Sequence, residues 1–294
     1  MTDTSASHLR GILSMLLAVA SFSVMDASMK LLAPHYPPMQ VAALRGITSL
    51  PLVLIWALAD GGPMQLVRVR WALHLVRGVI SVIMLVAFVY GLQTLPLAEA
   101  YSLFFVAPLI ITALAVPILG EKVGWRRWLA IATGLCGTLI VLRPSGHGML
   151  SLGGLAVIVS ATGYALSAIT VRVLGRTDST QSMVFWMLAM LSIFSFALAR
   201  REWVPVDAAH WQTVAILGVS GAIGQYGVTE AFRRAPASVI APLEYTALIW
   251  GLALDWFVWN ALPDRWTLAG AAVIVVCGLY LLRRERVHAE AEHP

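Results

Sequence analysis

Ionisable side chains stand inside long apolar runs of this chain: Asp26, Arg45, Arg77, Glu99, Glu230, Glu244 and Asp255. A charge at a bilayer centre costs about 2.5–3.5 kcal/mol on insertion scales, so it is kept where it is paired, wetted or used. Asp26 lies just beyond the middle of the first run, with Lys30 one turn later on the same helical face. Two readings stand: an i,i+4 pair near the surface with Lys30 snorkelling outward, or a cavity acid that contacts a substrate amine or carries a proton. Arg45 reads as structural, binding carbonyls or an acid of a neighbouring helix, with Asp26 a partner across the first hairpin. Arg77 can snorkel, and Glu230 reaches a rim beside Arg233 and Arg234. Glu99 with Tyr101, and Glu244 with Tyr245, set an acid near an aromatic ring early in two separate runs. Such a pair can hold an ammonium group by charge and cation–π attraction. A helix N-terminus also favours an acid through its dipole, which suits Glu99 better; Glu244 lies deeper and reads as functional.

Aromatic residues extend the same chemistry. Phe22, Tyr90, Tyr101, Tyr164, Trp186, Tyr226, Tyr245 and Trp250 lie well inside the runs, whereas Trp203, Trp211, Trp259 and Trp266 fall at ends, where interfacial belts form. A deep tyrosine needs a hydrogen-bond partner and so tends to face a bundle interior or cavity. Gly218, Gly221, Gly224 and Gly227 recur every three residues, which lets helix backbones approach closely and also permits backbone exposure to a ligand beside Gln225 and Tyr226. The substrate-contacting set expected from sequence is Asp26, Tyr90, Tyr101, Tyr164, Gln225, Tyr226, Glu244 and Tyr245. An apolar, aromatic cavity with acids suits amino acids with large side chains, or flat ring compounds.

Other chemistries find no footing. The histidines are scattered, no His or Cys cluster has metal-ligand spacing, and Cys136 and Cys277 read as small apolar packers. No phosphate-binding glycine loop occurs, so ATP does not drive this chain directly, and no Ser-His-Asp arrangement can be assigned. No metal or cofactor is expected.

The elements that position these residues follow from composition. Hydrophobic residues make up 59% of 294 and charged residues 12%, against about 25% charged in soluble domains. That deficit excludes an ordinary soluble enzyme and a disordered chain. Apolar runs near the ~20 residues that span a bilayer occur at about 11–33, 38–59, 72–93, 97–119, 126–143, 149–174, 180–199, 210–233, 237–259 and 265–283. The first run is long and lacks a small-x-small cleavage pattern, so it reads as a retained span rather than a signal peptide. With the N-terminus inside, the inner loops hold Arg68, Arg70, Lys122, Arg126, Arg127, Arg172, Arg176, Arg233 and Arg234, and the outer ones only Lys30, Arg143, Arg200, Arg201 and Arg265. This bias places both termini in the cytoplasm. It also turns the net charge of +5 toward an anionic leaflet rather than nucleic acid.

The halves repeat at an offset of about 140 residues. Trp125 matches Trp266, Cys136 matches Cys277, Gly137 matches Gly278, Pro96 matches Pro236, Gly11 matches Gly153 and Phe22 matches Tyr164. Five spans per half make the second half enter the membrane from the opposite side. The expected fold is an all-α membrane protein of ten transmembrane helices in two inverted-topology five-helix repeats, residues 1–144 and 145–294. That symmetry serves alternating access, with the substrate near the midplane.

Local motifs sharpen this. Leu95-Pro96-Leu97-Ala98-Glu99-Ala100, Ala107-Pro108-Leu109, Leu119-Gly120-Glu121-Lys122, Gly134-Leu135-Cys136-Gly137 and Arg143-Pro144 mark the first half. Arg234-Ala235-Pro236-Ala237-Ser238, Ala241-Pro242-Leu243-Glu244-Tyr245-Thr246, Gly270 and Gly278 mark the second. With Arg45 in the second span, these resemble the drug/metabolite transporter superfamily, in its ten-helix branch with two EamA-type domains. The second half departs from the pattern, with Ala261-Leu262-Pro263-Asp264 where the Gly-Glu pair would stand. The resemblance implies a multi-pass inner-membrane carrier of small metabolites. Spans 3, 4, 8 and 9 would be central with 1 and 6, and spans 5 and 10 outside, able to pair two subunits as a homodimer. Members export amino acids, including aromatic ones, or handle riboflavin, purines or S-adenosylmethionine. Export of neutral or aromatic amino acids is the leading expectation, and a flat vitamin, purine or S-adenosylmethionine-like metabolite the alternative. An intramembrane enzyme, for which only Asp26 and Glu244 could pair, and a membrane assembly protein are the readings from other classes.

Overall fold

A computed structural model of the chain describes residues 3–95, 97–144, 150–260 and 265–291. The helices are α1 (Asp3–Leu32), α2 (Pro38–Gly61), α3 (Met64–Val67), α4 (Trp71–Thr94), α5 (Leu97–Phe104), α6 (Ala107–Leu119), α7 (Trp125–Leu142), α8 (Leu152–Leu174), α9 (Thr180–Ala199), α10 (Trp211–Arg234), α11 (Ala237–Ile240), α12 (Ala247–Trp259) and α13 (Arg265–Ala291). Short 3₁₀ turns cover Ala208–His210 and Ala241–Thr246, and no strand occurs among the described residues. The repeat boundary expected at residues 144 and 145 abuts 145–149, which lie outside the described residues.

Seven described stretches are helical, long and apolar enough to cross a bilayer: Ser7–Leu32, Pro38–Gly61, Trp71–Phe88, Ala100–Leu119, Leu152–Leu174, Thr180–Ala199 and Ala237–Val258. The helix α7 opens on Arg126 and Arg127, and α10 is diluted by glycines and polar residues, so both read as less apolar. Within the helices, hydroxyls fold back onto the carbonyl four residues earlier, as at Ser23, Ser28, Thr48, Thr138, Ser192 and Thr229. This satisfies polar groups where lipid offers no partner. Pro38 starts α2 where its missing N–H has no helical role, and Ser151 and Ser179 cap α8 and α9 through their hydroxyls.

The spans expected at 97–119 and 237–259 are present as apolar helical stretches, each with a local interruption of its α-helical ladder. The first breaks between α5 and α6, and the second winds as a 3₁₀ turn from Ala241 to Thr246. Proline is the cause in each. Pro108 cannot donate to the Phe104 carbonyl, nor Pro242 to that of Ser238, so the α-ladder fails there.

Packing follows the repeat. The helix α1 packs on α10 and α4 on α8; α6 packs on α8 and α1 on α12; α2 packs on α9 and α7 on α13. Exchanging α1 with α8, α2 with α9, α4 with α10, α5–α6 with α11–α12 and α7 with α13 carries this set of pairs onto itself. The arrangement therefore has a two-fold axis in its contacts. The bundle has two distinct ends. At one, Tyr36 and Gln40 meet the 203–210 loop: the Tyr36 hydroxyl lies 2.7 Å from His210 Nδ1, and Gln40 Oε1 accepts from Val204 N–H at 2.8 Å. The other, basic end gathers Arg68, Arg70, Lys122, Arg127, Arg172, Arg233 and Arg234.

Candidate functional site

The interruptions of the two broken spans meet each other. Leu109 N–H bonds Val106 instead of Phe105, which frees the Phe105 carbonyl; Tyr245 donates its hydroxyl to it at 3.2 Å. The Tyr245 ring is 1% exposed and lies against the backbone of α7 at Gly134, where a Cβ would come within 2.4 Å of it. Tyr245 thus ties one discontinuous helix to the other rather than opening onto a cavity. Irregular backbone inside a membrane bundle is tolerated where protein covers it or where it lines a cavity.

Four of the sequence-predicted residues are brought together around this crossing. Asp26 is solvent-exposed, but not toward lipid. The exposed stripe of α1 is Leu13, Leu17, Val24 and Leu31; at about 100° per residue Asp26 points about 140–180° away from each of them. Its accessible carboxylate therefore faces the bundle interior. Asp26 acts electrostatically on Arg45 of α2 and on Tyr101 of α5. From Tyr101 a chain of rings runs inward: Phe88 at 6.1 Å, Phe104 5.3 Å further, then Tyr164 of α8 at 5.8 Å. The Tyr164 hydroxyl donates to Glu244 Oε1 at 3.0 Å. Glu244 sits in the 3₁₀ turn and is 9% exposed. An acid thus stands at each end of an aromatic wall. Phe22, the repeat partner of Tyr164, lies under the Arg45 guanidinium at 5.6 Å and reaches the backbone of α10 because residue 224 is glycine; a Cβ there would stand 2.6 Å from the ring.

Other expected site residues lie elsewhere. Tyr90 is 44% exposed and lines an outer groove with Ala87, Leu152 and Val159. Tyr226 faces a second outer groove beside Trp56, Leu52 and Ile223, its ring 4.9 Å from that of Trp56. Gln225 is buried and donates to Met187 Sδ at 3.2 Å, a sulfur that also meets Arg77 at 3.0 Å. Arg77 is 3% exposed and bonds the Met183 carbonyl and Ser167, a structural anchor rather than a snorkel. The side chains of Glu99 and Asp255 lie outside the described residues. Among the described residues no three His, Cys, Asp or Glu side chains gather as a metal site.

The basic end is closed by polar contacts, of which only the pairing of Glu230 with its neighbouring arginines is expected from sequence. Gly120 takes a left-handed conformation (φ 70°) and ends α6, and Glu121 N–H reaches back to Ala115 at 3.2 Å. The turn aims the Glu121 carboxylate across the halves. It accepts from Ala237 N–H at 2.8 Å, Ser238 N–H at 3.1 Å and the Ser238 hydroxyl at 2.7 Å. Arg172 stands 3.9 Å away, and Arg127 donates to the Ser238 hydroxyl at 3.1 Å. Nearby, Glu230 accepts from Thr180 at 2.6 Å and from Arg234. Asp178 accepts from His74 at 2.8 Å, Thr177 at 2.7 Å and Arg70 N–H at 3.1 Å. Burial alone would raise the Asp178 carboxyl, but these bonds hold it below its ordinary value.

A bundle that is all-helical among the described residues, with interrupted helices, a two-fold exchange of packing and an interior acid, has the architecture of a membrane transporter. The chain belongs to the EamA-like transporter family, whose model matches residues 9–143 and again 151–284. It is 27% identical over 277 residues to the pseudopaline exporter of Pseudomonas aeruginosa PAO1, covering 94% of this chain and 97% of that one. It is 27% identical over 297 residues to the S-adenosylmethionine uptake transporter of Rickettsia prowazekii, covering 100% and 99%. A riboflavin transporter of Vibrio cholerae is 26% identical over 288 residues, covering 97% and 96%. A solved crystal structure superposes with a TM-score of 0.82 at 20% identity, covering 97% of this chain and all of that one, which fixes the fold.

Proposed function

We propose that the protein is an inner-membrane secondary carrier that exports neutral or aromatic amino acids by alternating access. In this reading the chain crosses the membrane ten times, as two inverted five-helix repeats spanning residues 1–144 and 145–294, with both termini in the cytoplasm. The observations that carry it are the interior-facing, solvent-accessible Asp26 within electrostatic reach of Tyr101, and the run of rings from Tyr101 through Phe88, Phe104 and Tyr164 to Glu244. An acid attracts an ammonium group, and stacked rings suit an apolar or flat body. The basic end, cytoplasmic by its charge, is held shut by Glu121, Glu230 and Asp178, while Asp26 near the other end meets solvent; this supports an outward-open state. A pairing of two copies through α7 and α13 belongs to the same proposal, and light scattering of the detergent-solubilised protein tests it: a strictly monomeric mass removes it.

The same aromatic wall favours a second reading, a carrier for an S-adenosylmethionine-like or flavin-like metabolite. Proteoliposomes offered radiolabelled L-phenylalanine, L-leucine, S-adenosylmethionine and riboflavin, with and without a pH gradient, decide between them. Accumulation of an amino acid supports export of that class; movement of riboflavin alone supports the second reading. No saturable flux of any of the four defeats both.

A further inference from the structure

Asp26 and Arg45 carry opposite charges at the same depth on adjacent spans. Asp26 lies six residues from the end of α1, and Arg45 seven from the start of α2, so each is about 10 Å from its helix end. They are close enough to act on each other electrostatically, yet among the described residues they form no direct ion pair or hydrogen bond with each other. Arg45 Nε is buried and has no hydrogen-bond partner. The side chain is not loose. Its stem lies against α10 at Gly221, where a Cβ would meet Arg45 Cγ at 3.4 Å, and its guanidinium sits over Phe22 at 5.6 Å.

An ion pair that serves only to hold two helices together gains most in contact, with its donors filled, because a buried unmatched donor is destabilising. Here the two charges are held apart with a donor unfilled and the acid open to solvent. That is the geometry of a receptor for a group that is itself a dipole of two charges. We propose that Asp26 and Arg45 together bind the head group of an α-amino acid: Asp26 receives the ammonium group and Arg45 the carboxylate, with the side chain of the substrate directed along Tyr101 and Phe104. The guanidinium fork matches a carboxylate in two parallel bonds. This assigns Arg45, which the sequence alone marks as structural, to specificity. It also makes the free carboxylate, and not only the amine, a requirement on the substrate. The inference rests on the carrier reading above and narrows it to α-amino carboxylates.

The test is an analogue series on the full-length protein, read by ligand-induced thermal shift and by competition in proteoliposomes. The probes are L-phenylalanine, its amide, phenethylamine and 3-phenylpropionate, with S-adenosylmethionine as a second α-amino carboxylate. Wild type is expected to bind L-phenylalanine or S-adenosylmethionine about ten- to hundred-fold more tightly than the probes lacking either charge, the size of one charge-assisted contact. Arg45→Gln should lose that margin for the amino acid while changing phenethylamine affinity by less than about twofold, and Arg45→Lys should restore part of it. Asp26→Asn should erase the preference over 3-phenylpropionate. If Arg45→Gln does not fold, the wild-type series decides alone. Amide and amine bound within about threefold of the amino acid would overturn the proposal while leaving the carrier reading intact. Riboflavin transport with no amino-acid binding would overturn it too, and absence of any flux would defeat the carrier reading itself.

Discussion

Glu121→Gln should unlatch the basic end of the bundle. The wild-type carboxylate accepts three hydrogen bonds from Ala237 and Ser238, at 2.7–3.1 Å, and faces Arg172 at 3.9 Å. Glutamine keeps one acceptor oxygen and loses the charge. A hydrogen bond to a charged group contributes about 1.5–3 kcal/mol, and water at the helix end replaces part of what is lost, so the variant should weaken the closed arrangement by about 1.5–3 kcal/mol. That shifts the closed-to-open ratio about ten- to hundred-fold. The assay is maleimide labelling of Ala241→Cys, a position with 0% exposure in the 3₁₀ turn, in a background lacking Cys136 and Cys277. The label should react about ten- to hundred-fold faster once Glu121 is changed. A variant of unchanged labelling rate but lower melting temperature would refute the reasoning, because Glu121 would then be a plain helix cap with no bearing on closure.

Glu244→Gln keeps the side-chain size and its contact with Tyr164; if the acid reads a substrate amine, affinity for a transported substrate should fall about ten- to hundred-fold with the melting temperature little changed, and unchanged affinity would remove that role. Asp178 has its carboxyl held below the ordinary value in the folded state, so its contribution is complete above about pH 4 and is lost as pH falls through the folded value. Wild type should therefore lose melting temperature more steeply than Asp178→Asn on acidification, and parallel curves would contradict this. Reporter fusions should place the Arg126 and Arg233 loops on one side and the Arg143 and Arg200 loops on the other; Arg126 and Arg143 on the same side would break the inverted repeat.

Much of the fold is legible in the sequence because a bilayer imposes a length, and runs such as 180–199 meet it almost residue for residue as Thr180–Ala199. The breaks at Val106 and Ala241 were signalled by Pro108 and Pro242, but proline is also tolerated inside membrane helices, as Pro51 in α2 and Pro117 in α6, so its presence alone does not locate a break. Depth along a span is read easily; direction around it is not. Tyr90 and Tyr226 lie inside their helices, as Tyr101 and Tyr164 do, yet face outer grooves. The exposed stripe Leu13, Leu17, Val24 and Leu31 of α1 settles what depth alone leaves open for Asp26, a surface pair with Lys30 or an acid facing the interior. Arg45 and Glu121 were harder, since an unfilled donor and a capped helix from the other half exist only in three dimensions.

The latch at Glu121 has no sequence counterpart in the second half, where Ala261-Leu262-Pro263-Asp264 replaces Leu-Gly-Glu-Lys. The two halves are thus alike in plan but unlike in sequence at the latch position, which under the carrier reading makes the two closures unequal. Such inequality cannot alter the final distribution of a solute, since detailed balance fixes that by the gradients alone. It does alter what each compartment sees. A site that faces one compartment for only a fraction of the time shows an apparent dissociation constant raised by the inverse of that fraction. A carrier that rests shut on its basic side therefore behaves as a rectifier: half-saturation is high from that side and low from the other, and flux in one direction responds to concentration over a range where the reverse flux is already saturated.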